Sequence, residues 1–213
     1  MKFLNIVFVL IGLASIFPAN AANSVTSSLN IISTPSIGTG SLGEVTITQT
    51  SSTTVEFSVA LAPATAFVST GGPHHAFTFN LELSTPYSIL FNNPDNGMFV
   101  YTGGSAVNTP YGKFYNAIDC PGCGPGASNA YFGVLNFTIT GNTGISLSDF
   151  VANSGGYFFS ADVIGPLGGT GNIAANAITP LVTPVPEPQT YAMLLAGLAF
   201  IGFSARRKKD FAV

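Results

Sequence analysis

Two cysteines stand alone in this chain, at a spacing that suits either a disulfide or redox and metal chemistry. Cys120 and Cys123 form the pattern Cys-Pro-Gly-Cys. In an exported protein such a pair favours a structural disulfide, whereas redox work or half of a zinc site is the alternative. The surrounding "DCPGCGPGASN" is too rich in glycine and proline for the helix that a thioredoxin-type centre needs. The pair therefore predicts a disulfide that fixes the shape of one loop.

The only histidines are adjacent, in "GGPHHAF". Neighbouring residues of a strand point to opposite faces, so His74 and His75 could share a metal only in a loop. We interpret them as solvent-facing loop residues. The chain has no Glu-x-x-His helix motif, no Gly-x-Ser-x-Gly elbow and no glycine-rich phosphate loop with a lysine. No catalytic residue, no metal and no cofactor is expected.

Acidic residues are scattered through the middle of the chain. They are Glu44, Glu56, Glu82, Asp95, Asp119, Asp149 and Asp162. Glycoside hydrolysis needs two carboxyl groups that face each other, and no local spacing singles out such a pair. Asp95 and Asp162 could supply oxygen ligands to calcium, although turn formation explains them equally well. A glycan-active hydrolase is accordingly a distant alternative.

Aromatic residues offer a second possibility, the binding of sugars. The chain has no tryptophan, but Tyr101, Tyr111, Phe114 and Tyr115 lie in one glycine-rich region. We expect most of these aromatics to be core and strand-edge residues; the alternative is that the three tyrosines are ligand-binding residues. Sugar binding by β-sandwiches is an analogy at the level of the fold.

The segments that surround these residues have the sequence pattern of β-strands. Apolar and polar residues alternate in Glu44–Thr50, Thr54–Leu61 and Phe77–Leu83, as they do in half-buried strands. Further candidates are Leu29–Ile32, Tyr87–Phe91, Met98–Tyr101, Lys113–Ile118, Tyr131–Thr140, Tyr157–Ile164 and Ile173–Pro184. Gly, Pro and Asn clusters separate them. The pattern predicts an all-β chain, with a single β-sandwich or jelly-roll-like domain over residues 22–181. The segment "SLSDFVANSGG" predicts one helix or a single turn.

Charge is scarce, because only 7% of the residues are charged. Between Ala22 and Thr183, Lys113 is the one base against seven acids, a net charge of −6. A domain of this kind has no basic surface for nucleic acid, so no nucleic-acid partner is expected. Its polar surface must come from Ser, Thr, Asn and the backbone.

The first 21 residues read as an export signal. Lys2 precedes the apolar stretch Phe3–Phe17, and Ala19-Asn20-Ala21 has the small residues of a cleavage site. We predict transport by the Sec machinery and cleavage by signal peptidase after Ala21. An uncleaved transmembrane helix is the alternative.

The C-terminal stretch "VPEPQTYAMLLAGLAFIGFSARRKKDFAV" has an ordered composition. Residues 182–189 form a proline-rich linker, 190–205 an apolar helix that could span the membrane, and 206–213 a basic tail. The cluster Arg206, Arg207, Lys208 and Lys209 should stay cytoplasmic. The β-domain then lies outside, in agreement with the export signal.

Pro186-Glu187-Pro188, the short apolar helix and the basic cluster together resemble the PEP-CTERM sorting signal of Gram-negative bacteria. The resemblance covers about the last 28 residues. It implies recognition by an exosortase, a transient hold in the inner membrane and release to the cell surface or matrix after cleavage near Pro186–Pro188. It also implies an association with exopolysaccharide and biofilm. A non-enzymatic surface or matrix protein is therefore expected, with a carbohydrate-binding module as the alternative.

Overall fold

We describe a computed structural model of the protein, whose described residues are 23–92, 97–181, 195 and 197–199. Contacts divide the chain into two units. One is Ala22–Val182, which holds the β-strands. The other consists of Met1–Ala21 and Thr183–Val213; within it, residues 195 and 197–199 are helical.

Sixteen strands and two short 3-10 turns make up the described fold. The strands are β1 (Asn23–Ser28), β2 (Ile31–Ile32), β3 (Gly43–Gln49), β4 (Thr54–Leu61), β5 (Ala66–Ser69), β6 (Phe77–Phe79), β7 (Tyr87–Phe91), β8 (Val100–Tyr101), β9 (Ala106–Val107), β10 (Lys113–Phe114), β11 (Asn116–Asp119), β12 (Gly126–Tyr131), β13 (Leu135–Gly141), β14 (Phe159–Ile164), β15 (Thr170–Ala175) and β16 (Thr179–Leu181). The 3-10 turns are Pro121–Cys123 and Leu147–Asp149. The prediction of an all-β chain is confirmed.

The strands form two large antiparallel sheets and one small one. Sheet A has six strands in the order β16-β1-β3-β4-β13-β7. Sheet B has eight strands. On one side β14 pairs with β15, which in turn pairs with β2. On its other side β14 pairs with both β5 and β6. Next to these, β12 pairs with β5, β11 with β6, and β8 with β11. Strands β9 and β10 pair only with each other.

Phenylalanine rings from both sheets meet in one core. Phe57 of β4 stacks on Phe137 of β13, with ring centroids 4.5 Å apart. The same ring lies 5.4 Å from Phe79 of β6 and 6.3 Å from Phe159 of β14, which belong to sheet B. Burying one such side chain stabilises the fold by roughly 1.5–3 kcal/mol. The inner faces of the two sheets therefore pack against each other through these rings.

The alternating segments form strands because one set of their side chains enters this core. The predicted strands Thr54–Leu61 and Tyr87–Phe91 are confirmed to the residue, and Glu44–Thr50 is shifted by one residue. Strand β5 was not predicted, because its run of apolar residues is short and shows no alternation. The predicted Tyr131–Thr140 is split, since residues 132–134 connect β12 to β13.

The two ends of the domain differ from prediction. The predicted Leu29–Ile32 contains only the short β2, and the first strand is instead Asn23–Ser28, which lies between β3 and β16. Its Ser and Thr side chains hide the strand from a pattern analysis, although Val25 and Ser27 are buried. The predicted last strand, Ile173–Pro184, is instead two strands, since β15 belongs to sheet B and β16 to sheet A. The chain changes sheet between them.

The segment "SLSDFVANSGG" forms a single 3-10 turn, Leu147–Asp149, and not a longer helix. The Ser146 amide donates a hydrogen bond of 2.7 Å to the Asp149 carboxylate. Phe150, just after the turn, is buried and lies 5.1 Å from the Phe57 ring, centroid to centroid. Burial of that ring holds the segment against the core, so the chain leaves the helical conformation after one turn.

The strand predicted over Phe77–Leu83 ends at Phe79, and both of its faces are buried. Thr78 and Asn80, expected to face solvent, are 0% and 2% exposed. The segment that carries β9 and β10 covers them: Asn108 donates to Thr78, and the Tyr115 amide donates to Asn80. The outer face of sheet B is therefore not a solvent face at this position.

Candidate functional site

Cys120 and Cys123 form a disulfide in the 3-10 turn that follows β11. The Cys123 amide donates to the Cys120 carbonyl at 2.9 Å, and both residues are buried. Sulfurs bonded to each other are not thiolates, so in this state the pair supplies neither a zinc ligand nor a nucleophile. A cross-link over so few residues stabilises the fold by about 2 kcal/mol. The predicted disulfide is confirmed, and we expect it to act mainly on the shape of the loop.

The two histidines lie in the loop between β5 and β6 and have different partners. His75 Nδ1 is 2.7 Å from the Asp119 carboxylate, next to the disulfide. His74 Nδ1 is 2.9 Å from Asn172 Nδ2. Within the described residues, no three side chains of the His, Cys, Asp and Glu types converge as metal ligands. The histidines connect their loop to sheet B on both sides.

Asp162 is fully buried on the outer face of sheet B. Its two carboxylate oxygens accept hydrogen bonds from the Thr70 amide at 2.8 Å and the Thr70 hydroxyl at 2.9 Å. Burial raises the pKa of this carboxyl group above its ordinary value, although the Thr70 hydrogen bonds and the nearby His74 and His75 act in the opposite direction. These contacts make Asp162 the attachment point of the loop after β5. Asp95, the other candidate calcium ligand, lies outside the described residues.

Two asparagines that the sequence analysis did not single out organise this face. The fully buried Asn108 amide group donates to the His75 carbonyl, to Thr78 Oγ1 and to Ser160 Oγ at 3.2–3.3 Å. Its Oδ1 accepts from the His75 amide at 2.9 Å and from Asn172 Nδ2 at 3.1 Å. We call this group of side chains the Asn108 network.

The Asn108 network could not be found from spacing, because its members are far apart in sequence. Asn108 stands in "NTPYG", which reads as an ordinary turn. A weak signal existed in Asn172, since asparagine is depleted in strands and this one occurs inside "TGNIAA". An asparagine at a strand position next to apolar residues is a candidate for a buried hydrogen-bonded role.

The three tyrosines taken as possible sugar ligands do not share a surface. Tyr111 is only 4% exposed, and its hydroxyl donates to the Ile31 carbonyl at 2.9 Å. Burial raises the pKa of this phenol, with a further contribution from Tyr157. Tyr115 is 65% exposed, whereas neighbouring Phe114 is buried beside Tyr111. Tyr111 belongs to the segment that covers sheet B, and a ring buried there cannot stack on a sugar.

Tyr101 occupies a third location, at the edge where β8 pairs with β11. Its hydroxyl donates to Asn116 Oδ1 at 2.6 Å, and the Tyr87 hydroxyl donates to the same oxygen. Burial is the main cause that raises the pKa of the Tyr101 phenol, and Tyr87 adds to it. Through Asn116, the Tyr87 hydroxyl thus connects β7 of sheet A to β11 of sheet B.

A groove lies on the outer face of sheet A and has a volume of about 290 Å³. Its polar lining comes from β3, β4 and β13 and from the residue after β7. The residues are Thr46, Thr48, Glu56, Ser58, Asn136 and Asn92, together with Phe57. We call it the sheet A groove. Its lining contains hydroxyl, amide and carboxylate groups and no cation.

Several predicted sites fall outside the described residues. They are the cleavage residues Ala19 and Ala21, the tripeptide Pro186, Glu187 and Pro188, and the cluster Arg206, Arg207, Lys208 and Lys209. The predicted membrane helix over 190–205 is described only at residues 195 and 197–199. Among the described parts of the chain, no helix is long and apolar enough to cross a membrane.

Comparison with known families identifies the C-terminal segment of the chain. Residues 184–208 match the model of the PEP-CTERM protein-sorting motif. The chain carries a PEP-CTERM sorting motif. This match confirms the resemblance seen in the Pro-Glu-Pro tripeptide, the apolar run and the basic cluster. The motif marks an exported protein that is held at the membrane before cleavage and processed by an exosortase.

No curated protein and no solved structure gives a significant match to the chain. The β-domain upstream of the PEP-CTERM motif must therefore be understood from its own residues.

Proposed function

We propose that this protein is a non-enzymatic component of the cell surface or extracellular matrix, associated with exopolysaccharide in a biofilm. The observation that carries the proposal is the PEP-CTERM motif at residues 184–208, which marks an exosortase-targeted secreted protein. Signals of this type are associated with exopolysaccharide production, and the charge-poor domain of Ser, Thr and Asn surfaces suits a polysaccharide surrounding.

The proposed route has two cleavages. Signal peptidase removes residues 1–21 after Ala21 as the chain leaves through the Sec machinery. Residues 190–205 then hold the chain in the inner membrane, with Arg206–Lys209 on the cytoplasmic side. Exosortase cleavage near Pro186–Pro188 finally releases the β-domain from its helix.

A structural role for the domain is supported by the way its reactive side chains are used. Cys120 and Cys123 are bonded to each other. His75 pairs with Asp119, and Asp162 accepts two hydrogen bonds from Thr70. The disulfide constrains one loop, and the other two contacts each connect a loop to sheet B, which suits a stable scaffold.

The processing route is tested by the intact mass of the exported protein in a Gram-negative host with an exosortase. The expected mature form begins at Ala22 and lacks Tyr191–Val213. Replacing Glu187 by alanine should leave the protein membrane-bound and unprocessed. Pro184→Ala, in the same linker but outside the tripeptide, is the matched control and should be processed. A mature surface protein that still carries Tyr191–Val213 would show a permanent anchor instead.

The matrix association has a separate test, which is fractionation of a biofilm by enzymatic digestion of its polysaccharide. The protein should be released together with the polysaccharide and remain on the cells without digestion. Release into the medium in the absence of polysaccharide digestion would contradict the association.

A carbohydrate-binding module on the same export route is the second candidate function. The sheet A groove favours it, since a depression of about 290 Å³ lined by hydroxyl and amide groups is a site where a glycan could bind. The exposed Tyr115 lies elsewhere, so the groove and the tyrosine can be tested separately.

A further inference from the structure

The polar lining of the sheet A groove is an ordered grid, because its residues occupy facing positions of neighbouring strands. Thr46 of β3 lies opposite Ser58 of β4, which lies opposite Asn136 of β13. Two residues further along the sheet, Thr48 and Glu56 of the lining form a second row with Thr138, which lies next to the lining on β13. Adjacent strands are about 4.8 Å apart, so each row of three spans about 10 Å. That width is comparable to two linked sugar rings.

Hydrogen bonds from flanking strands hold the ends of the second row. Ser24 of β1 lies 2.9 Å from the Thr48 hydroxyl, oxygen to oxygen. Asn92, after β7, donates to the Thr138 hydroxyl at 2.6 Å. Thr48 and Thr138 are thereby oriented before any ligand binds, which lowers the entropy cost of binding.

Glu56 lies between these two threonines, at the centre of its row, and its side chain is exposed. A carboxylate accepts two or more hydrogen bonds, and those to a charged acceptor are about twice as strong as neutral ones. A pair of neighbouring sugar hydroxyls has the donors that such an acceptor needs. The surrounding Thr and Ser hydroxyls can donate or accept, so they adapt to further hydroxyls of the same ligand.

The charges of the domain disfavour a polyanionic ligand. Lys113, the one base between residues 22 and 183, lies on β10 and is absent from the groove lining. An anionic sugar such as a uronate would meet Glu56 without a compensating cation, in a domain whose net charge is −6 over the same residues. The repulsion would weaken binding, most strongly at low salt.

We propose that the sheet A groove binds a neutral, hydroxyl-rich polysaccharide, with Glu56 as its central acceptor and Thr46, Thr48 and Ser58 as flanking hydroxyl partners. The inference rests on the proposed function, since it names the class of matrix polymer that an exported protein of this kind would contact. It locates the contact on sheet A and assigns no role to the tyrosines.

The test is affinity electrophoresis of the purified full-length chain in nonionic detergent. Native gels contain either a dissolved neutral polysaccharide (a series of β-glucan, mannan and dextran) or the polyanion alginate. Mobility in each gel is referred to the same variant in a gel without polysaccharide, which cancels the change in charge of a substitution. At least one neutral polymer should retard the protein, and alginate should not.

Two variants probe the groove directly. Glu56→Gln keeps the shape of the side chain and removes the charge. It should raise the apparent Kd for the polysaccharide about tenfold, which is seen as weaker retardation. The double variant Thr46→Val with Ser58→Ala removes two hydroxyls and should also weaken retardation while the sheet stays intact. Glu44→Gln is the matched control, because Glu44 is exposed on the same strand as Thr46 but outside the groove lining. It should bind as the unmodified protein does.

The possible results separate the two proposals. Retardation by a neutral polymer that survives both groove variants, or that Tyr115→Ala alone abolishes, would overturn the groove assignment and leave matrix association standing. Stronger retardation by alginate would overturn the choice of a neutral ligand. If no polymer retards the protein, the groove proposal fails, while processing and biofilm fractionation still decide the proposed function.

Discussion

The outer faces of the two sheets are built from the same polar residue types and have opposite surroundings. On sheet A, Thr46, Glu56 and Ser58 border an open groove. On sheet B, Thr78 and Ser160 are fully buried under the segment that carries β9 and β10. Ser, Thr and Asn therefore line an open groove in one place and form an internal network in the other.

The energetic role of a polar side chain in this domain depends on whether another segment covers it. A buried polar group costs free energy unless it is hydrogen-bonded, so every member of the Asn108 network depends on the others. An exposed hydroxyl exchanges a protein partner for water at little cost. Substitutions on sheet B should consequently destabilise the fold, and substitutions on sheet A should change binding alone.

The largest effect is expected for Asn108→Ala. The change leaves the His75 amide and two buried hydroxyl groups without their partner, so the free energy of unfolding should fall by about 3 kcal/mol. Urea denaturation followed by circular dichroism measures it. Asn92→Ala, an exposed asparagine beside sheet A, is the control and should cost less than about 1 kcal/mol. Equal losses would mean that the two faces do not differ.

A smaller effect is expected for Tyr111→Phe. Loss of the hydroxyl leaves the part-buried Ile31 carbonyl without this donor, which should lower the free energy of unfolding by about 1–1.5 kcal/mol. Tyr115→Phe removes the same atom from an exposed ring and should leave stability unchanged within about 0.5 kcal/mol. Thermal unfolding of the two variants compares a covered with an uncovered tyrosine. A Tyr111→Phe variant as stable as the unmodified protein would contradict a stabilising role for the buried Tyr111 hydroxyl.

Acid–base behaviour should also differ, through Asp162. Burial raises its pKa in the folded protein, so the folded state holds this proton more tightly than the unfolded state does. The contribution of Asp162 to stability is then greatest in acid and declines as the pH rises above about 4. The stability of the unmodified protein relative to Asp162→Asn should fall over that range.

The measurement is a series of urea denaturations from pH 3 to about pH 7. Thr46→Val has no titratable group at the altered position and supplies the control, whose stability difference from the unmodified protein should not change with pH. A relative stability of the unmodified protein over Asp162→Asn that increased with pH would contradict the assigned direction.

The smallest effect on stability belongs to the groove. Glu56→Gln and Thr46→Val change exposed or half-exposed side chains of sheet A, so each should alter the free energy of unfolding by no more than about 0.5 kcal/mol. The same denaturation experiment checks both. A loss of several kcal/mol would show that another segment covers this face, and the comparison between the sheets would then fail.

Prediction from sequence succeeded where a pattern is local. The alternation in Thr54–Leu61 records a strand with one face in a core, and the strand is found at those residues. It failed where long-range contacts decide the outcome. The suggestion that Tyr101, Tyr111 and Tyr115 present one face rested on their closeness in sequence alone. The structure separates them and buries Tyr111, in agreement with the favoured expectation of core and strand-edge residues.

The export signal of this protein and its β character can both be predicted from sequence. Both are written in contiguous residues: the PEP-CTERM motif at 184–208 is an ordered string, and strand alternation has a period of two residues. Only the tertiary structure decided which polar face is open. The cover of sheet B comes from Asn108 and its neighbours, which lie some 30 residues from Thr78 and about 50 from Ser160 along the chain. Alternation predicts which side chains of a strand point away from the core. Whether those side chains are exposed to water depends on the packing of segments that are distant in sequence.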